Sequence, residues 1–146
     1  MSKKLSFKGI LDEGLEDKIR LRTKNGKTGY KIIRFDVIMN TPGAADYETT
    51  VKIYSKPQGS GSTSIDFSES DLLAVAYLED GNNYIYPMSK MVIFDNEIFN
   101  QDIFVNTASL TGTIKVNYYI ELETIALSET QSTQLTLKSL RQIASR

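Results

Sequence analysis

Thr113 to Leu127 is the longest strand candidate, and from Ile114 to Glu123 its apolar and polar side chains alternate. Ile114, Val116, Tyr118, Ile120 and Leu122 fall on one side, and Lys115, Asn117, Tyr119, Glu121 and Glu123 on the other. A repeat of two is that of a β-strand with one wet face; a helix would scatter the same five apolar residues around its circumference. The pattern returns at Tyr47–Tyr54, where Tyr47, Thr49, Val51 and Ile53 oppose Glu48, Thr50, Lys52 and Tyr54. It also runs, less cleanly, through Tyr30–Met39, with Ile33, Phe35, Val37 and Met39 on one side. Val, Ile, Thr, Tyr and Phe carry most of these positions, the residue types that suit a pleated, half-buried surface.

Between these segments lie weaker ones. Leu5 and Phe7 alternate with Ser6 and Lys8, which predicts a short first strand or an extended arm. Lys18, Arg20, Arg22 and Lys24 share one face of a second strand, and Asn25-Gly26 after it predicts a tight hairpin into the third. The polar stretch QGSGSTS (58–64) reads as a flexible loop and lacks the lysine and spacing of a phosphate-cradling loop. Ser68 with Asp71 predicts one helical turn, followed by a strand over Leu72–Leu78 buried on both faces. VIFDNEIFNQDIFVNT (92–107) reads as strand, polar link, strand. Ser128-Glu129-Thr130-Gln131 has the form of a capping box and opens an amphipathic helix with Thr133, Leu137, Leu140 and Ala144 on one face. The expected fold is all-β: a two-sheet antiparallel sandwich, jelly-roll-like, with a C-terminal α-helix. Residues 1–17 form an arm or first strand, 18–127 the sandwich and 128–146 the helix. On the arm reading, a chain lacking residues 1–16 still folds.

Composition removes several chemistries. The 146 residues include no cysteine and no histidine, so thiolate nucleophiles, disulfides and the commonest transition-metal ligands are absent. No signal-peptide core and no run near 18 apolar residues occurs, which predicts a soluble protein made in a cytoplasm, with no membrane partner. Net charge is −1 but unevenly spread: +6 over residues 1–34, −10 over 35–130 and +3 over 131–146. Such asymmetry points to a polar partner surface or a head-to-tail contact between copies.

Three groups of residues invite a chemical reading. Asp95, Glu97 and Asp102, with Asn96 and Gln101, offer oxygen ligands for calcium, but no glycine stands between Asp95 and Asp102 as an EF-hand loop requires. Side chains that satisfy backbone groups where strands bend explain them more simply. Glu121 and Glu123, about 6.8 Å apart by strand rise, have the spacing of a glycosidase pair, though nothing in the sequence shows a pocket to shift either. KIRLRTKNGKTGYKIIR (18–34) holds seven cations and one aromatic, too few rings for a single-strand nucleic-acid groove. These readings lead to a non-enzymatic protein with no cofactor, no metal and no nucleic-acid partner.

Several segments, in order, resemble a known family. They are TGYKIIRFDVIMNTPG (Thr28–Gly43), YETTVKIY (Tyr47–Tyr54), IDFSESDLLAVAYLED (Ile65–Asp80), VIFDNEIFNQDIFV (Val92–Val105), NYYIELETIAL (Asn117–Leu127) and TLKSLRQI (Thr136–Ile143). Together they are similar to virion structural proteins of tailed bacteriophages of marine bacteria. The resemblance implies assembly: a capsid decoration or cement protein, made in the host bacterial cytoplasm and built into the virion. It would bind the major capsid protein and other copies of itself, and so stabilise the head shell as a homo-oligomer or in many copies. The alternative is a tail or baseplate module binding a host-surface glycan through loops such as Tyr84-Ile85-Tyr86. No catalytic, cofactor or metal residue comes with the resemblance. The expected contact residues are Leu5, Phe7, Ile10, Leu11 and Leu15 of the arm, Lys18, Arg20, Arg22 and Lys24, and Leu137 and Leu140 of the helix.

Overall fold

A computed structural model describes residues 2–41, 47–80, 88–94, 96–111 and 115–144. Among these, eight strands precede one helix: β1 (Lys4–Leu11), β2 (Glu16–Ile19), β3 (Thr28–Met39), β4 (Tyr47–Tyr54), β5 (Leu72–Asp80), β6 (Met88–Ile93), β7 (Ile103–Thr111), β8 (Val116–Ala126) and α1 (Glu129–Ala144). They form two antiparallel sheets, β1-β8-β3 and β2-β7-β4-β5-β6. The pairings β1–β8, β2–β7 and β4–β5 nest inside one another, as when one long hairpin is rolled up. This is the jelly-roll order. The fourth nested pair, β3 with β6, is open: β6 stays on β5 and only lies beside β3.

The alternation read from the sequence builds the core between the sheets. Across β1, β8 and β3 the inward rows are Leu5–Leu122–Ile32, Phe7–Ile120–Phe35, Gly9–Tyr118–Val37 and Leu11–Val116–Met39. Val51 and Ile53 of β4, Ala74 and Ala76 of β5, and Ile103 and Val105 of β7 face them, all fully buried. β3 alternates poorly because its register slips between Ile32 and Arg34. Tyr30 and Ile32 point inward before this bulge, and Phe35, Val37 and Met39 after it, so Ile33 is not one of the inward set. Gly9 permits one close approach, since a Cβ there would lie 2.6 Å from the Tyr118 hydroxyl. That hydroxyl crosses to the other sheet and donates to Asp17 at 2.9 Å, and burial raises its pKa.

Three expectations need correction. Of the two readings of residues 4–11 the first strand holds and the arm does not: β1 is paired along its whole length with β8, and Leu11 is 2% exposed. Nor does Asn25-Gly26 close a hairpin, because β2 and β3 belong to different sheets. The chain leaves β7 after Ile19 because Asp102 captures the next backbone amides, and residues 20–27 carry it across to the other sheet. Ser68–Asp71 makes turns instead of a helical turn, while β5 is buried on both faces as expected.

Candidate functional site

The polar residues of the 94–102 link sit where the two sheets and α1 meet. Asp102 Oδ1 accepts the backbone N–H groups of Leu21 at 2.8 Å and Arg22 at 2.9 Å, and Lys18 Nζ lies 3.5 Å from Oδ2. Burial pushes the carboxyl pKa up, but the Arg22 and Leu21 amides and the Lys18 ammonium together outweigh it and leave it lowered. Asn100, 1% exposed, donates to the Gly26 carbonyl at 3.0 Å, the Thr136 hydroxyl at 3.2 Å and the Ser132 carbonyl at 3.4 Å. Glycine suits this position: its φ is +65°, strained for most side chains, and a Cβ would approach Ser132 Oγ to 3.1 Å. Glu97 pairs with Lys138 on α1 at 3.0 Å. These side chains tie backbone and helix, in line with the strand-bend reading; Asp95 lies outside the described residues.

A lowered carboxyl pKa has a defined consequence for pH. Asp102 contributes stability above the ordinary carboxyl value of 3.8, and that contribution is lost as pH falls through its lower folded value. Asp102→Asn should cost about 1–2 kcal/mol at pH 7, because two charge-assisted bonds become neutral ones. The gap between mutant and parent in urea melts should shrink below about pH 4. A gap independent of pH would show that the charge is not what matters.

α1 seats on this junction through its polar side. Its capping box is formed as predicted, with Gln131 N–H donating to Ser128 Oγ at 3.2 Å and Ser128 N–H to Gln131 Oε1 at 3.0 Å. Ser132 and Gln142 are buried, whereas Leu137 and Leu140 are 45% and 58% exposed. Gln142 receives the Lys56 ammonium on its carbonyl, accepts Ser55 Oγ at 3.1 Å and donates to the Ser70 carbonyl at 3.1 Å. Between α1 and the 20–27 crossing runs a groove of about 610 Å³, lined by Arg22, Lys24, Gln101, Thr136, Ser139 and Leu140.

The structure thus brings Arg22, Lys24 and Leu140 together, with Leu137 exposed on the same helix, and separates them from the other expected contacts. Lys18 is engaged by Asp102, and Arg20 is exposed. Leu5 and Phe7 are partly buried against the core and Leu11 is within it, so their side chains are not offered to a partner. Ile10 and Leu15 are 46% and 54% exposed, away from the groove. No family model matches this chain, and no curated protein does. Tyr84-Ile85-Tyr86 lies outside the described residues. Among those described, no group of three or more acidic side chains is placed to hold a metal, and no helix is long and apolar enough to cross a membrane. Glu121 and Glu123 share an outer sheet face as expected. Glu121 accepts the Tyr119 hydroxyl at 3.0 Å and lies 3.4 Å from Arg34; Glu123 is in register between Lys4 and Lys31. They form part of a charge ladder on an open sheet.

Sequence reasoning missed the strap of residues 55–71, which folds back over the outer face of β4 and β7. It closes a polar cleft of about 230 Å³ lined by Lys52, Tyr54, Gln58, Asp66, Glu69 and Asn106, among others. Lys52 is 1% exposed, donates to the Ser64 carbonyl, and has its pKa lowered by burial against a weaker opposing effect of Glu69. Thr50 donates to the Ser62 carbonyl at 3.1 Å, and Glu16 accepts the Gln58 and Gly59 amides. Burying a lysine costs stability at neutral pH, a cost that fades as pH rises through its folded pKa. Lys52→Met should therefore leave global stability within about 1 kcal/mol of the parent or raise it, while loosening the strap. Faster proteolysis within 58–64 at an unchanged melt is the expected result; a loss of several kcal/mol would mean that the ammonium holds the sheet itself.

Proposed function

We propose that this protein is a non-enzymatic structural subunit of a tailed-phage particle, acting as a capsid decoration protein that binds the head shell in many copies. The observation that carries the reading is a rolled β-sandwich whose surface keeps apolar side chains exposed beside charge, at Leu140 with Arg22 and Lys24, and at Ile10 and Ile38 with Lys8 and Asp36. Isolated exposed apolar residues are ordinary, but a leucine lining a groove with two cations has the composition of an interface. The jelly-roll order is shared by capsid subunits and by lectins, so topology supports the reading without deciding it. The resemblance of the segments from Thr28 onward supplies the particle.

On this reading the subunit adds contact area between neighbouring shell proteins, and many weak copies together resist internal pressure. In seawater-like salt the Debye length is about 4 Å. Attraction must then come from close charge pairs and apolar area. The test is to strip and restore the protein on purified heads: restoration should raise the temperature at which DNA is released, and Leu140→Asp should abolish the gain. Heads that retain DNA equally well with or without the protein would overturn the proposal.

A further inference from the structure

We propose that Lys52 and Asn106 join in an isopeptide bond inside the folded protein, cross-linking β4 to β7 with the help of Glu16. The three residues form one row across three neighbouring strands, Lys52 being in register with Asn106 and Asn106 with Glu16. Val51 and Ile53 on either side of Lys52 point into the core, as does Val105 beside Asn106. The row therefore faces outward, beneath the strap. Lys52 and Asn106 are 1% and 2% exposed, and both line the strap's cleft. Side chains directly opposite one another start about 5 Å apart at Cβ, within the reach of a lysine. Holding the two reacting groups in one row replaces an encounter in solution.

The chemistry needs an uncharged amine, an amide whose nitrogen can leave, and a group that carries one proton between them. Lys52 Nζ has no carboxylate within ion-pair distance among the described residues. It donates to the Ser64 carbonyl, and burial lowers its pKa against the weaker effect of Glu69. Such a lysine gives up its proton more readily than one in water. The Asn106 amide is held at its leaving end, where Nδ2 donates to Glu16 Oε2 at 3.2 Å. Glu16 is fixed in turn by the backbone N–H groups of Gln58 at 3.1 Å and Gly59 at 3.3 Å. In the step itself the Nζ lone pair attacks Asn106 Cγ, and Glu16 takes a proton from Nζ and delivers it to Nδ2. The Cγ–Nδ2 bond then breaks, ammonia leaves, and an Nζ–Cγ amide remains. Glu16 ends as it began, and no oxidant or further reactant is consumed. The link also removes a buried charge. It is a single event of the chain upon itself and stands whether or not the particle reading does.

The test is mass spectrometry of the full chain, made by cell-free synthesis and followed over time. The folded parent should become lighter by one ammonia, and its tryptic digest should contain a branched peptide in which Lys52 of β4 is joined to Asn106 of β7. The same chain kept unfolded in guanidinium chloride should hold its full mass, since the row exists only in the fold. A succinimide at Asn106 would also release ammonia, but it needs no lysine. Lys52→Arg and Asn106→Ala, each checked for a cooperative urea transition, should therefore both keep their full mass. Glu16→Gln should link about a hundredfold more slowly, the usual scale for losing a group that transfers a proton. Lys52→Met, close to the unlinked parent in urea melts, should fall below the linked one, because a cross-link restricts the unfolded chain. A folded parent that retains the mass of its sequence, a loss of ammonia that persists in Lys52→Arg, or linking at the parent's rate in Glu16→Gln would each overturn the proposal.

Discussion

A chain lacking residues 1–11 is expected to show no cooperative urea transition. β1 pairs with β8 over eight residues and closes one side of the core with Leu11, Phe7 and Leu5. Burying a large apolar side chain contributes about 1.5–3 kcal/mol, so these three together supply about 5 kcal/mol. A domain of this kind has only about 5–15 kcal/mol in hand. Deletion also turns β8, the central strand of its sheet, into an edge with unpaired backbone groups. Removing residues 1–3 alone serves as the control: Lys3 is exposed and, among the described residues, its backbone bonds to Thr124, so that chain should melt close to the parent. A cooperative transition in the longer deletion, at a midpoint near the parent's, would restore the arm reading.

The second large effect is expected at Asn100. Its amide serves the Gly26 and Ser132 carbonyls and the Thr136 hydroxyl, fastening the crossing between sheets to α1. Asn100→Ala leaves those oxygens without their donor and should cost about 3 kcal/mol, each buried unsatisfied group costing about 1–3 kcal/mol. Asn100→Asp, nearly the same shape, should be worse, because a carboxylate then faces two carbonyl oxygens. Hydrogen exchange should show α1 losing protection first, since the helix is held more by polar ties than by apolar area. Equal stability for the Asp and Ala variants would mean that the site is governed by shape and not by the donor.

Much of the fold was legible because alternation is set by local geometry. Val116, Tyr118, Ile120 and Leu122 could be read inward from spacing alone, and they are. The Ser128 capping box was equally readable, its partners lying three residues apart. What failed depended on distant residues. Asn25-Gly26 has the composition of a hairpin turn, but Asp102, some 80 positions away in the chain, pulls the backbone out of register just before it. The slip in β3 is likewise invisible until β8 lies alongside. The packed face of α1 was not legible, because periodicity identifies the apolar side, with Leu137 and Leu140, and gives no sign that polar side chains seat the helix. Here Ser132 and Gln142 turn inward to partners on the 20–27 crossing and the strap.

The candidate site shows the same division. Arg22, Lys24, Leu137 and Leu140 were expected from sequence to be contact residues, and the fold brings Arg22, Lys24 and Leu140 to one groove. Lys52 gave no signal, because a lysine on a strand's polar face is ordinarily in water. Only the strap crossing back over β4 and β7 buries it, and Gly61 passes so close to the Thr107 carbonyl that any side chain there would collide.

The central claim, that this protein is a structural subunit present on the particle in many copies, is tested most directly by its copy number. Quantitative mass spectrometry of purified virions, measured against the major capsid protein, should find it in a fixed ratio on the order of one subunit to each shell protein or few, as repetitive shell symmetry requires. Its absence from mature particles would contradict the account, and a handful of copies would move it from the head to the tail.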